Sequence, residues 1–184
     1  MAIPAASDII RLSGVTSAFA PGGAAAGPTI YKLTLAHSNA TITPTTIAST
    51  IADVDWVHTM VAGKIYSFDI FGLYQTIGLG TGARLNLLGA GGLAGRVAGY
   101  MRGSIAQATG ATNLEAVIYS FANAAGSFIL TTAVNPINAP HMMIGSFIFE
   151  CTTAGTLAIQ FASEVAASAA QMNAGSFMTV TLLN

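Results

Sequence analysis

The sequence predicts an all-β protein, folded as an antiparallel sandwich or barrel. Short segments alternate apolar and polar residues, the pattern of half-buried strands. We count about eight to ten such segments, separated by Gly, Asn, Thr and Pro at the spacing typical of these folds. The longest is "IYSFDIFGLYQT", residues 65–76, where Tyr66, Phe68 and Ile70 share one side and Asp69 and Phe71 share the other.

The remaining elements follow in chain order. "YKLTL", residues 31–35, alternates as a strand, and the Thr-rich stretch that carries Pro44 suits an edge strand or a loop. "VAGK", residues 61–64, predicts a turn. The Ala-rich stretch 163–172 is either a single helix or an irregular crossing between strands. Further strands are expected at 83–88, 97–103, 115–121, 126–132 and 175–183.

Residues 145–164, "GSFIFECTTAGTLAIQFASE", predict a hairpin of two strands with an unusual outer face. Phe147, Phe149 and Cys151 lie on one side of the first strand, and Leu157 and Ile159 lie on one side of the second. A surface hairpin normally presents charged residues to water, and this one has almost none. We therefore expect neighbouring copies of the chain to cover the second face, through Ile144, Ile148, Ala158, Gln160 and Ala162.

Charged residues make up only 7% of the chain, against about 25% in ordinary globular domains. The six Lys and Arg residues are scattered, so we expect no binding to nucleic acid, which needs clustered cations. No stretch of about 20 apolar residues is free of interruption, and the first residues lack the basic region of a signal peptide. The expectation is a protein that neither spans a membrane nor is exported.

The sequence offers no constellation for catalysis, a metal or a cofactor. "GAGGLAG", residues 89–95, matches a dinucleotide fingerprint in part but lacks a βαβ context, and is expected to be a glycine loop. Asp53 and Asp55 have too few oxygen-bearing neighbours for calcium. The histidines at 37, 58 and 141 are widely spaced and expected at surface or interface positions, and Cys151 is expected to be a buried small hydrophobe. We expect no enzyme.

Three carboxylates lie among apolar neighbours in or beside predicted strands, at Asp69, Glu150 and Glu164. A buried carboxylate is costly unless it is paired. The candidate partners, within one chain or between chains, are Arg84, Arg96 and Arg102.

Residues 1–28 differ from the rest and predict an N-terminal arm with a flexible Gly-, Ala- and Pro-rich joint, ahead of one domain at 29–184. The apolar clusters of the arm are too sparse for a core of their own, so we expect the arm to dock on a partner. The expected anchoring residues are Ile3, Ile9, Ile10, Arg11, Leu12 and Phe19.

Four segments together resemble a module of tailed-phage virion proteins. They are "DWVHTMVAGKIYSFDIFGLYQT", "GTGARLNLLGAG", "IGSFIFECTTAGTLAIQFASE" and "NAGSFMTVTLL", and with their connections they span about residues 31–184. The motifs carrying the match include Ala62-Gly63-Lys64, Gly155-Thr156-Leu157 and Phe161-Ala162-Ser163. The stretch 164–174 departs from the module, because it is Ala-rich where the module alternates.

The resemblance implies an antiparallel jelly-roll β-sandwich, often trimeric, similar to tumour-necrosis-factor-type head domains, with no catalytic residues to carry over. It implies a homotrimeric capsid decoration (cement) or head-fibre protein, held by its arm on the major capsid protein or another virion protein. We thus expect it on the capsid surface of virions assembled in the host cytoplasm. The alternative is a receptor-binding tail-fibre or tail-tip protein that recognises a host surface glycan or protein.

Overall fold

The computed structural model describes residues 27–47, 56–78, 81–104, 112–122, 126–129 and 138–184, and these residues form strands and turns without a helix. The all-β prediction is therefore confirmed. The strands are β1 (Thr29–Lys32), β2 (His37–Asn39), β3 (Thr45–Thr46), β4 (Val57–Met60), β5 (Ile65–Thr76), β6 (Ala83–Ala90), β7 (Ala94–Ser104), β8 (Thr112–Ala122), β9 (Gly126–Ile129), β10 (His141–Thr153), β11 (Gly155–Ser163), β12 (Ala170–Met172) and β13 (Phe177–Leu182).

The strands form two antiparallel sheets that pack as a sandwich. The larger sheet has the order β1-β13-β5-β10-β7-β8, with β12 and β2 continuing beside β5. The smaller sheet has the order β3-β11-β6-β9, with β4 also beside β11. From β4 to β7 and from β8 to β12 the chain changes sheet at every step, and it also crosses from the larger to the smaller sheet between β2 and β3. This alternation between layers is a jelly roll, to which the β7–β8 hairpin adds two strands.

The core between the sheets follows from the alternation of side chains along each strand. On β5 and β10, Phe68 and Phe147 are buried and stack with their ring centroids 4.8 Å apart. Leu157, Ile159 and Phe161 of β11 are fully buried within the same core. Burying one such side chain contributes about 1.5–3 kcal/mol, so the inward residues account for most of the stability of the fold.

Polar links join the two sheets at one edge of this core. The Tyr31 hydroxyl on β1 lies 2.8 Å from Nδ1 of His58 on β4. The His58 ring also contacts Tyr66 and Phe68 edge-on, at centroid distances of 5.4 and 6.0 Å. Burial lowers the pKa of His58 and raises the pKa of Tyr31. The link therefore joins neutral side chains at neutral pH.

The predicted hairpin at 145–164 is wrong, although both of its strands exist. β10 pairs with β5 and β7, whereas β11 pairs with β3, β4 and β6, so Ala154 is a corner between two sheets. Gly155 allows this corner, because a Cβ there would collide with the Ala90 carbonyl oxygen. Alternation within a strand is the same for both connections, so the local pattern could not tell a hairpin from a corner.

The structure decides between the two predictions for residues 163–172 but does not test the N-terminal arm. Residues 164–168 form bends and turns, in which Ala167 has a φ of 61°, before β12 begins at Ala170. The irregular crossing is thus correct and the helix is wrong. The arm lies almost wholly outside the described residues, as do all six of its predicted anchoring residues, so both stay predictions.

Candidate functional site

The outer face of the larger sheet carries several large apolar side chains that are exposed or half-buried. On β5 and β10 the residues that alternate with the core point outward, and many of them are large and apolar. Ile148, for example, is 49% exposed. We call this surface the apolar face and define it by the half-buried Ile144 and by the exposed Ile30, Phe71, Leu73, Tyr100, Met142, Ile148 and Phe177.

The strand register brings these residues side by side. Phe177 of β13 pairs with Phe71 of β5, which pairs with Ile144 of β10. Leu73 and Met142 pair in the neighbouring row. The rings of Phe71 and Phe177 stack with centroids 5.7 Å apart and an interplanar angle of 26°, while both stay about two-fifths exposed. Residues from three separate parts of the sequence therefore make one apolar surface.

A carboxylate lies within this surface. Oδ1 of Asp69 accepts a hydrogen bond of 2.7 Å from the Ser146 hydroxyl, and the Ser67 hydroxyl lies 3.5 Å from Oδ2. Thr179 is the partner of Asp69 on β13, and Tyr100 is the partner of Ser146 on β7. Asp69 lies on the exposed side of β5, opposite Phe68 and Ile70, as the alternation of the strand predicts.

Cations occupy the borders of the apolar face. Lys32 lies opposite Phe177 in the β1–β13 register on one side, and Arg102 lies opposite Ile144 in the β7–β10 register on the other. At one end, Arg96 forms an ion pair of 3.7 Å with Glu150, and both side chains are more than half exposed. An exposed pair of this kind contributes about 1 kcal/mol or less, so it adds little to stability. The sequence prediction of arginine–carboxylate partners is confirmed for this pair.

The predicted interface residues divide between the two sheets. Ile144 and Ile148 lie on the apolar face. Ala158 and Ala162 lie on β11 in the other sheet and are only 9% and 0% exposed, so they offer little surface to a neighbouring copy. Gln160 is half-buried, and its Oε1 accepts a hydrogen bond of 2.7 Å from Nδ2 of Asn86. Since β10 and β11 belong to different sheets, these five residues do not share one face of the sandwich, and their role in a contact stays a prediction.

The residues singled out for chemistry are arranged as follows. Among the described residues, no three His, Cys, Asp or Glu side chains are placed to hold a metal ion. Cys151 is buried as expected, and this burial raises the pKa of its thiol, which makes it a poor nucleophile at neutral pH. The prediction of a surface position is wrong for His141, which is buried. Asp53 and Asp55 lie outside the described ranges.

The glycine segment is a tight turn between sheets. Gly91 and Gly92 adopt positive φ values of 68° and 82°, and the Leu93 amide donates to the Ala90 carbonyl. Glycine adopts this conformation without strain, which accounts for the motif structurally. Within the ranges that the structure describes, no helix is long and apolar enough to cross a membrane.

Sequence reasoning did not select Phe71, Leu73 or Phe177 as contact residues. The signal was present, since Phe71 and Leu73 occupy the outward positions of the clearest strand. The pairing of Phe177 with Phe71 could not be read from the sequence, because it depends on which strands are neighbours.

Comparison with known proteins adds weak similarities. No protein-family model and no curated protein matches the chain. A solved structure of carbohydrate-binding modules from the β-sandwich superfamily is 13% identical with a TM-score of 0.30, covering 73% of this chain and 54% of that chain. The infectious bursal disease virus VP2 subviral particle is 13% identical with a TM-score of 0.23, covering 88% and 43%. The chain thus spans about half the length of these structures, and at these values neither indicates a ligand or partner.

Proposed function

We propose that this chain is a non-enzymatic structural protein of a bacteriophage virion, whose jelly-roll domain associates with copies of itself through the apolar face. In its most specific form, the proposal is a homotrimeric capsid decoration (cement) or head-fibre protein on the capsid surface. The observation that carries it is the apolar face itself, on a chain with only 7% charged residues. A free monomer with this surface would have little charge to oppose association.

The extent of the face fits a contact between proteins. Its rows cross β13, β5, β10 and β7, and at ordinary strand spacings they cover about 500 Å² of sheet. The largest apolar patch on a typical monomer covers about 300–600 Å² and is often functional. A stable contact covers about 800 Å² on each partner, so the apolar face supplies more than half of one such contact. The three-fold symmetry rests on the resemblance to phage jelly-roll modules.

The first test is the solution mass of the full-length chain, measured by light scattering over a range of concentrations. We expect three times the chain mass of 18.6 kDa. The double variant Phe71→Ser/Ile148→Ser should dissociate, because central apolar residues of a contact each contribute about 2 kcal/mol or more. The matched control is Val61→Ser, which removes an equally exposed apolar residue from the β4–β5 turn.

The control should keep the mass of the unchanged protein. A monomeric full-length chain would refute the proposed association. A double variant that keeps the full mass would show that the copies meet through another surface.

The second test concerns attachment to the virion. Deleting residues 2–20 should leave the oligomer intact and abolish binding to phage heads, because the predicted anchoring residues are removed. Heads lacking the protein are incubated with either form, and occupancy is measured from the protein composition of purified particles. Full occupancy by the truncated form would show that the arm is not the anchor.

A second candidate function is a receptor-binding tail protein, and the exposed rings favour it specifically. Phe71, Phe177 and Tyr100 present aromatic surface beside the Asp69 carboxylate. Exposed aromatic rings with adjacent polar groups suit ligands that have both apolar and hydroxyl surfaces, such as sugars. Binding of purified protein to host cells or isolated surface glycans, lost in Phe71→Ser, would favour this function over capsid decoration.

A further inference from the structure

We infer that Asp69 of one copy and Arg102 of a neighbouring copy form an ion pair across the apolar face. The inference rests on the proposed self-association and names the polar contact that fixes its register. The occupant of the apolar face is thus a second copy of this chain.

Asp69 has acceptor capacity left over within its own chain. Its two described hydrogen bonds come from the hydroxyls of Ser146 and Ser67, at 2.7 and 3.5 Å. An ionised carboxylate can accept about four hydrogen bonds. Within the described ranges the ion pair is Arg96 with Glu150, so no cation of those ranges neutralises Asp69.

A neighbouring copy that covers the apolar face would remove water from around the Asp69 carboxylate. The carboxylate lies one row from the Phe177–Phe71–Ile144 row, at a place that a neighbouring copy would screen from water. A desolvated carboxylate without a cation costs several kcal/mol. Association through this face therefore requires a positive charge from the neighbouring copy opposite Asp69.

Arg102 is the cation that best meets this requirement. It lies on the exposed side of β7, next to Ile144 at the border of the apolar face. Ordinary strand spacings place its Cα about 12 Å from that of Asp69 in the same chain. Arg96 is already paired with Glu150, and Lys32 lies on the short edge strand β1. The guanidinium also binds a carboxylate through two parallel hydrogen bonds, which an ammonium group cannot do.

The arrangement allows every copy of a ring to supply both charges. Each copy carries a carboxylate within the face and an arginine at its border, so in a three-fold ring the Asp69 of each copy can meet the Arg102 of the next. Such pairs suppress wrong registers, because displaced copies would bury one charge alone. Phe71 and its neighbours would then supply the affinity, while Asp69 and Arg102 supply the register.

Charge reversal in the full-length protein tests the pair. The single variants Asp69→Arg and Arg102→Asp place like charges opposite each other, and each should weaken association by at least about 30-fold. The double variant Asp69→Arg/Arg102→Asp restores opposite charges and should return to within about threefold of the unchanged protein. Dissociation constants come from analytical ultracentrifugation, and urea midpoints confirm that each variant folds.

Two further variants separate the role of Arg102 from that of charge in general. Asp69→Asn should reduce the salt dependence of association, because it removes the charge without adding a like one. Lys32→Asp combined with Asp69→Lys tests the other border cation, and we expect no restoration from this combination.

The inference is overturned if the Arg102 double variant associates no better than its single variants, or if the Lys32 combination restores association instead. In both cases, self-association that still depends on Phe71 and Ile148 would leave the proposed function standing. A monomeric unchanged protein would refute the proposed association and the ion pair together.

Discussion

The two sheets of the sandwich differ most on the sides that face away from the core. On the larger sheet, the outward residues of β5 and β10 include Phe71 and Ile148, both more than two-fifths exposed. On the smaller sheet, the outward residues of β11 and β6 include Ala162 and Asn86, both almost without accessible surface. The exposed outward residues of the larger sheet are thus large and apolar, whereas these two outward residues of the smaller sheet are small or polar and closed to solvent.

This difference shows that outward strand positions without charged side chains have two distinct explanations. On the smaller sheet the side chains satisfy one another within the chain, as Asn86 and Gln160 do through their 2.7 Å hydrogen bond. On the larger sheet the side chains are too large and too apolar to do so. Only the second case calls for a partner.

The largest expected effect on stability comes from a substitution that disrupts the larger sheet beneath its apolar face. A Cβ at Gly99 would collide with the Phe147 side chain and with the backbone of β10. Gly99→Ala should therefore lower the free energy of unfolding by about 3 kcal/mol, measured by urea denaturation. Ala98→Ser, one residue away on the exposed side, is the control and should stay within about 0.5 kcal/mol. Equal midpoints for the two variants would contradict the close packing of β7 on β10.

Two substitutions with smaller expected effects test whether the two outer faces have different roles. Gln160→Ala removes an acceptor of the buried Asn86 amide and should cost about 1 kcal/mol of stability without changing the solution mass. Ile148→Ser should do the opposite, weakening association while leaving the stability of the subunit within about 0.5 kcal/mol. Both are measured by urea denaturation at low concentration together with light scattering. A lower solution mass for Gln160→Ala would show that the smaller sheet takes part in the contact between copies.

The smallest expected effect is the pH dependence of stability that comes from His58, in the Tyr31–His58 link between the sheets. Burial lowers the pKa of His58, so the unfolded chain binds a proton more readily than the folded one. The stability contributed by neutral His58 is therefore complete above about pH 6.5 and falls as the pH drops below that value. Urea midpoints at about pH 7.5 and 5.5 should differ less in His58→Gln than in the unchanged protein.

His37→Gln is the control, because His37 lies outside this link, with its Nε2 3.1 Å from the Thr45 hydroxyl. It should keep the pH dependence of the unchanged protein. An identical dependence in His58→Gln would show that burial of this ring does not affect stability.

The sequence was most informative where a property is local to one strand. The two sides of β5 were predicted residue by residue, because alternation directly reports which side chains share a side. The sequence also pointed to the uncharged outer residues Ile144 and Ile148. It could not separate them from Ala158 and Ala162, since β10 and β11 look like a hairpin until their pairing partners are known.

The pairings that matter most connect distant residues. Phe71 meets Phe177, and Arg102 lies beside Ile144, only because β5, β13, β10 and β7 become neighbours in the sheet. No short sequence motif indicates which distant residues the strand pairing brings together. The resemblance to phage modules supplied the jelly-roll arrangement, whereas the exposed surface that we propose as the contact required the register.

The corner at Ala154 and the late position of β13 also determine when the apolar face can exist. Asp69 and Ser146 are 77 residues apart in the chain, and the strand that brings Phe177 to Phe71 comes last among those described. Sheets built from such distant segments form slowly compared with local hairpins. A chain still emerging from the ribosome therefore lacks the row that Phe177 completes. Under the proposed self-association, copies would recognise one another in register only after synthesis has passed β13.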